Sequence, residues 1–239
     1  MFKNKLDKQD EIFLDSSAGG LCIIAVVQLS SSLPVTQERW ENPCGGTDSS
    51  TDEQLSDFPF FFESVTEPVD EILQRTFRNI QEGQSLAENV VYRIFNESIQ
   101  NHHNKAVLDT IHFDGFPTSS ALPESESTRE VNLIAYNKLK KAAVFIEETR
   151  SDEESSDTPV FKDAMKSNED KLYTIMCNLE KAIEGDGGNV TGTVSRDIMS
   201  DYLRNMGSTA DRRERDYIIY KDFNLLYKSF IVYYSKFDN

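Results

Sequence analysis

Basic residues are scarce in this chain. Lysine and arginine make up 25 of its 239 residues, against 41 aspartates and glutamates, and the formal net charge is -16. Nucleic acids and anionic membranes attract proteins through positive charge, so neither is expected as a partner. Solubility alone is enough to explain the acidic composition. Much of it lies in two runs, 49–57 and 147–157, which we predict to be solvated loops.

Cysteine and histidine are also rare, with three of each. His102, His103 and His112 lie close together in sequence, but no cysteine or carboxylate stands at metal-ligand spacing from them, which favours surface histidines. The glycines in 185–188 lack the preceding strand and the lysine of a phosphate loop. No serine or cysteine has a recognisable nucleophile setting. We therefore predict no metal, no cofactor and no enzymatic activity.

No apolar run is long enough to span a bilayer. Residues 21–29 (LCIIAVVQL) are followed by three serines, which is the layout of a signal-peptide core and its cleavage region. The mixed-charge lead before them is unusually long, and a buried strand or an uncleaved anchor is the alternative. We predict a signal peptide over 1–32, a flexible segment over 33–65 and one folded domain over 66–239. The expected product is secreted, without membrane insertion.

Cleavage near residue 32 removes Cys22 and leaves Cys44 and Cys177 as the remaining cysteines. Two glycosylation sequons, at Asn96 and Asn189, would then lie in an oxidising, glycosylating compartment. Sequons this short also arise by chance, so they support secretion only weakly.

Glycine and proline are absent from residues 217–237, where apolar side chains recur at spacings of 3 and 4. This pattern predicts a long helix that faces a helical core. A pair of buried strands is the alternative, because aromatic and β-branched residues also favour strands. The recurring residues are Ile219, Phe223, Leu226, Phe230, Tyr233 and Phe237.

Three more helices are predicted upstream. The first runs from Thr66 to about Asn101 and is weakened or kinked at Gly83. Ser127 and Glu130 form a capping box at the start of the second, which is expected to end at the acidic run 147–157.

The third predicted helix starts at Thr158 and keeps an apolar seam as far as Ala182. Ser208 and Asp211 then cap the helix that contains residues 217–237. A short helical turn is expected over 197–204, within the connection that precedes it.

The connections between the four helices are long, short and long. A connection of about eight residues reaches at most about 28 Å, so the second and third helices must be antiparallel neighbours. Two long crossovers around one short turn are what an up-up-down-down bundle needs, whereas an up-down-up-down bundle tolerates long loops without requiring them. The predicted fold is an all-α four-helix bundle of up-up-down-down topology.

Several short motifs follow one another over about residues 85–237. Asn132-Leu-Ile-Ala-Tyr136 follows Glu130, Phe113-Asp-Gly-Phe-Pro117 precedes a serine-rich stretch, and Phe161-x-x-Ala164 opens the third helix. With the aromatic last helix, they resemble interleukin-6-type helical cytokines of the ciliary neurotrophic factor, leukaemia inhibitory factor and cardiotrophin-like branch. The resemblance implies a secreted ligand, expected as a monomer, that joins a shared signalling receptor to a second receptor chain and activates Janus-kinase/STAT signalling. An intracellular helical adaptor is the alternative.

The resemblance also implies receptor contacts. The outward faces of the first and third helices would engage the shared receptor, through Lys166, Asp170 and an exposed Tyr173 as anchor, unless this face is merely solvated. At the start of the last helix, the family's aromatic-x-x-lysine pair aligns with Tyr217 and Tyr220, and Lys221 follows one residue late. These three are expected to contact the second receptor. The alternative is that the two tyrosines complete the core.

Cys177 falls on the face of the third helix opposite its apolar seam. An outward thiol can reach an N-terminal segment, whereas a buried free cysteine is expected on the seam. We therefore predict a disulfide between Cys44 and Cys177, with two free or intermolecular thiols as the alternative.

Overall fold

The structure, a computed structural model, describes residues 38–45, 67–99 and 104–238. Within these residues it is all-helical and contains no strand, which confirms the predicted all-α class. The predicted signal peptide over 1–32, the acidic run 49–57, and His102 and His103 lie outside the described residues.

Four long helices and two short ones make up the described chain. The two short helices lie within the long connections. The helices are α1 (Val69–Ile94), α2 (Lys105–Leu108), α3 (Thr128–Glu154), α4 (Lys162–Gly185), α5 (Asp201–Arg204) and α6 (Thr209–Tyr234). A π-helical turn, Phe95–Ile99, extends α1, and 3-10 turns form at Arg39–Glu41, Arg196–Ile198 and Ser235–Phe237.

The predicted helix starts at α3 and α6 are confirmed. Ser127 and Glu130 form both bonds of the capping box, and the Ser208 side chain accepts from the backbone N–H of Asp211. The start of α4 differs, because it begins at Lys162 and its N-cap, Phe161, makes no side-chain capping bond. Phe161 is buried, so its packing anchors this end of α4.

The acidic run 147–157 was predicted to be a loop, and this prediction is wrong for most of its length. Helix α3 continues through it to Glu154. The carboxylate of Glu153 is buried, pairs with Arg213 and accepts from the backbone N–H of Phe161. The run is therefore helical, and a buried carboxylate within it is paired with a cation. The number of acidic residues in the sequence does not reveal this pairing.

Helix α6 is buried on every side along its middle. Each residue from Tyr217 to Asn224 is buried, which confirms a central helix and not a surface one. The predicted seam residues on α6 are buried except Phe237, which is partly exposed and packs against the core. The seam predicted on α4, from Phe161 to Ala182, is also buried.

Helix α1 packs against both α4 and α6. The contacts show that α1 runs antiparallel to each of these two helices. With α6 they join Phe95 to Tyr217 and Gln84 to Asn224; with α4 they join Arg93 to Phe161 and Arg75 to Asn178.

Helix α3 packs against α4 and, less extensively, against α6. The contacts show that α3 also runs antiparallel to each of these two helices. With α4 they join Arg150 to Glu169 and Arg129 to Asp186; with α6 they join Glu153 to Arg213 and Asn132 to Tyr234.

Gly83 does not break α1, which is continuous from Val69 to Ile94. A Cβ atom at Gly83 would lie 3.0 Å from Cζ of the buried Tyr227 ring. The Gly83 carbonyl oxygen also accepts a hydrogen bond of 3.1 Å from the Asn168 side chain. Gly83, predicted to weaken the helix, instead leaves room for the Tyr227 ring of α6 because it has no side chain.

We predict that Gly83→Ala destabilises the protein although alanine favours helix. Overpacking a buried ring costs about 1–3 kcal/mol, whereas the gain in helix propensity is at most about 1 kcal/mol. Urea unfolding followed by circular dichroism measures the difference. Ser85→Ala, at an exposed position on the same helix, is the control and should leave stability nearly unchanged. A net gain in stability for Gly83→Ala would contradict this packing.

Candidate functional site

Two of the three residues predicted on the outward face of α4 lie there. Lys166 and Asp170 are exposed or half-exposed, and the Lys166 ammonium bonds the Asp170 carboxylate at 2.5 Å. Tyr173 is only 1% exposed, so its predicted role as an exposed receptor anchor is wrong.

Tyr173 is buried because other parts of the chain cover it. The guanidinium of Arg39 lies 4.1 Å from the centre of its ring, and its hydroxyl donates to Glu147 of α3. Burial, together with the nearby Glu147 carboxylate, raises the pKa of the Tyr173 hydroxyl well above its ordinary value. Burial also raises the pKa of Glu147. The buried side of α4 is therefore wider than its apolar seam.

The cover comes from residues 38–45, which we call the N-terminal turn. Trp40 is fully buried; its indole N–H donates to the Val194 carbonyl at 3.0 Å, and Arg196 lies over its ring. Glu41 pairs with Lys140 of α3 at 2.6 Å and accepts from the backbone N–H of Val194. The prediction of a flexible segment over 33–65 is wrong for these residues. The sequence signal was the chain's single tryptophan, which our sequence reasoning passed over.

Cys44 lies at the end of the N-terminal turn and is disulfide-bonded to Cys177 of α4. Their Cα atoms are 4.8 Å apart, and 133 residues separate them in sequence. Cys177 is half-buried, beside and not opposite the packed face. The bond joins the N-terminal turn to the same helix that Arg39 contacts through Asp170.

The residues predicted to contact a second receptor are buried. Tyr217 and Tyr220 are each 0% exposed, and Lys221 is 8% exposed, so they cannot form an open contact surface. The prediction is wrong in this respect, and the alternative that the two tyrosines complete the core agrees with the structure. Tyr217 donates to Asp109 at 2.7 Å and stacks near Phe95.

Lys221 fixes the connection between α1 and α3 onto α6. Its ammonium donates to the carbonyl oxygens of Leu108, Asp109 and Ile111, at 3.3, 3.2 and 2.6 Å. These carbonyls lie at or just beyond the end of α2, where helical carbonyls have no partner within the helix. Lys221 therefore acts as a cap from a distant part of the chain.

An open groove lies at the same end of the molecule. It has a volume of about 720 Å³ and is lined by the π-helical turn after α1, the connection before α4 and the first turn of α6. Ile99 is buried in it, while Val160 is 51% exposed and Ala210 is exposed. This groove includes the first turn of α6, the end of the helix where the receptor contact was predicted.

A buried charge cluster supports the first turns of α6. Arg215 is fully buried; it pairs with Asp216 at 2.6 Å and Asp152 at 2.8 Å, and donates to the Leu203 carbonyl. Burial raises the pKa of Asp216 to about 6, although Arg215 opposes the shift. Arg213 pairs with the buried Glu153 and also lines the groove. The polar base of the groove is thus held by paired charges.

The two sequons differ in their surroundings. Asn189 is exposed in the turn that follows α4. Asn96 is half-buried in the π-helical turn, and its side-chain N–H donates to the Tyr92 carbonyl at 2.7 Å. Glycosylation at either position stays a prediction.

The described residues contain neither a metal-binding cluster nor a membrane-spanning helix. Among residues 38–45, 67–99 and 104–238, no three His, Cys, Asp or Glu side chains are grouped so as to hold a metal ion. No helix in this part of the chain is long and apolar enough to cross a membrane.

Replacing Lys221 separates a structural role from a binding role. Lys221→Met leaves three carbonyls and the buried Asp222 without their cation, which we expect to cost about 2 kcal/mol and to lower the melting temperature by about 4–8 °C. Lys228→Met, on an exposed part of α6, is the matched control and should change little. An unchanged melting temperature for Lys221→Met would contradict the capping role.

The disulfide predicts a second stability change. In the double variant Cys44→Ser, Cys177→Ser, loss of a cross-link across 133 residues should cost about 4 kcal/mol. Urea unfolding measures this, and mass spectrometry after alkylation without reduction tests the bond itself. Finding both cysteines alkylated in the native protein would show that the bond is absent.

Comparisons with known proteins identify no relative of this chain. No family model, no curated protein and no solved structure matches it. The functional proposal therefore depends on the residues and contacts of the chain itself.

Proposed function

We propose that this protein is a secreted four-helix cytokine of the interleukin-6 type. It joins two cell-surface receptor chains and so activates Janus-kinase/STAT signalling. The motif order in the sequence supports the family.

The directions of the helix contacts carry the proposal. Helices α1 and α3 each run antiparallel to both α4 and α6, so α1 and α3 point one way and α4 and α6 the other. The connections before α3 and before α6 are long, and the one between α3 and α4 spans only the residues between Glu154 and Lys162. These features support an up-up-down-down four-helix bundle, the arrangement of helical cytokines.

Two separate surfaces suit two receptor chains. The outer face of α1 and α4, with Lys166 and Asp170, is proposed for the shared receptor. The groove that contains Val160 and Ala210 is proposed for the second receptor, in place of the buried tyrosines. Val160, which is exposed, and Arg213 both line this groove, and arginine is enriched at binding surfaces.

The groove can be tested with one charged substitution. Val160→Arg places a long charged side chain in the groove and should reduce binding to a soluble second receptor chain by at least about tenfold, since it blocks the groove and desolvating a charge at an interface costs well over 1.4 kcal/mol. Val232→Arg, at an exposed valine on α6 outside the groove, is the matched control. Surface plasmon resonance and STAT phosphorylation in responsive cells are the measurements.

Three results would count against the proposal. One is a Val160→Arg variant that signals and binds the second receptor chain as well as the wild-type protein does. Another is a wild-type protein that binds no receptor ectodomain of this class. The third is a protein that stays inside the producing cell with residues 1–32 intact, which would favour the intracellular adaptor.

A further inference from the structure

The connection between α1 and α3 contains a firmly held loop over residues 112–119. At one end, Nδ1 of His112 lies 3.0 Å from both carboxylate oxygens of Asp222 on α6. In the middle, Gly115 has a φ of 85°, and a Cβ there would lie 2.0 Å from the Ile198 carbonyl oxygen. Phe116 packs edge-on against Phe145 of α3, with ring centres 5.2 Å apart.

A lysine of α3 holds the far end of the loop. The Lys138 ammonium donates to the carbonyls of Thr118 and Ser120, at 3.1 and 3.0 Å, and burial lowers its pKa. The loop is therefore fixed at several points before any partner binds. A surface that is already ordered loses little conformational entropy on binding.

The loop encloses a pocket of about 460 Å³, lined by residues 112–119 together with Asp222. This volume lies near the lower end for ligand sites, so it suits one long side chain rather than a helix. Half-buried rings of Phe113 and Phe116 and the buried Pro117 supply apolar wall.

The charge of the pocket selects the kind of side chain. Asp222 is 8% exposed, and Asp114 is exposed in the same lining. His112 is the one basic residue among the residues that line the pocket. Lys221 lies 3.2 Å from Asp222, but it is shared with three backbone carbonyls. Nδ1 of His112 already contacts both Asp222 oxygens, so Asp114 is the carboxylate of the lining that is open to a partner. A carboxylate beside phenyl rings fits a flat cation, since a guanidinium can pair with carboxylate and stack on an aromatic ring.

We propose that this pocket receives an arginine side chain of a protein partner. The surface is separate from the groove at the start of α6, so the proposal goes beyond the proposed function and does not depend on it. The Asp114 carboxylate pairs with the guanidinium, and the aromatic wall covers its methylene stem.

The test uses the full-length, isotope-labelled protein and a small probe. N-acetyl-arginine methylamide is titrated while backbone amide shifts are followed by NMR, with N-acetyl-citrulline methylamide as the uncharged match. We expect saturable shifts centred on residues 112–119 with the arginine probe and clearly weaker ones with citrulline. Asp114→Asn should weaken arginine binding roughly two- to fivefold, the range for an exposed ion pair. Asp157→Asn, an exposed carboxylate outside the pocket, should have no effect.

The outcomes separate the alternatives. Equal shifts with both probes, shifts spread over the acidic surface, or binding unaffected by Asp114→Asn would each overturn the proposal. A second variant, Ser119→Phe, fills the pocket without altering charge and should abolish the localised shifts. The amide spectrum of each free variant shows that the loop has kept its conformation, and receptor binding measured on the same samples tests the proposed function independently.

Discussion

Burial of the middle of α6 is the constraint on which the rest of the structure depends. Residues 215–224 are nearly out of reach of water, yet they include Arg215, Asp216, Lys221 and Asp222. A buried charge without a partner would cost more than the fold can supply. Each of these groups is therefore paired, and several of the partners lie in the long connections. Arg215 binds the Leu203 carbonyl of α5, and Lys221 binds the carbonyls after α2.

This pairing explains why the long connections are ordered against the helices. The connection before α3 is fixed by Lys221 and Asp222 and then by Lys138, while the connection before α6 is fixed by Arg215 and by Trp40 and its neighbours. Loops held in this way leave grooves of fixed shape between them and the helices. The pocket lined by residues 112–119 depends on the same buried polar contacts that stabilise α6.

The N-terminal turn decides which helix faces remain open. It covers Tyr173 and the adjoining sides of α3 and α4, through Arg39, Trp40 and the disulfide. Lys166, on the outer side of α4, is left exposed, and Asp170 is half-exposed although Arg39 of the turn contacts it. One face of α3 and α4 is therefore covered by the chain itself.

The sequence by itself determined the helices, their apolar seams and the caps at Ser127 and Ser208, because these depend on side chains within one or two turns of each other. It also placed Cys44 and Cys177 as partners. It could not show that the acidic run 147–157 is helical, that Tyr173 and Tyr217 are buried, or that Trp40 is part of the core. Those features depend on residues distant in sequence: Arg213 lies 60 positions from its partner Glu153 in the acidic run, and Asp109 lies 108 positions from Tyr217. Only the tertiary structure brings such groups together, since periodicity reports which side of a helix is apolar but not what covers its other sides.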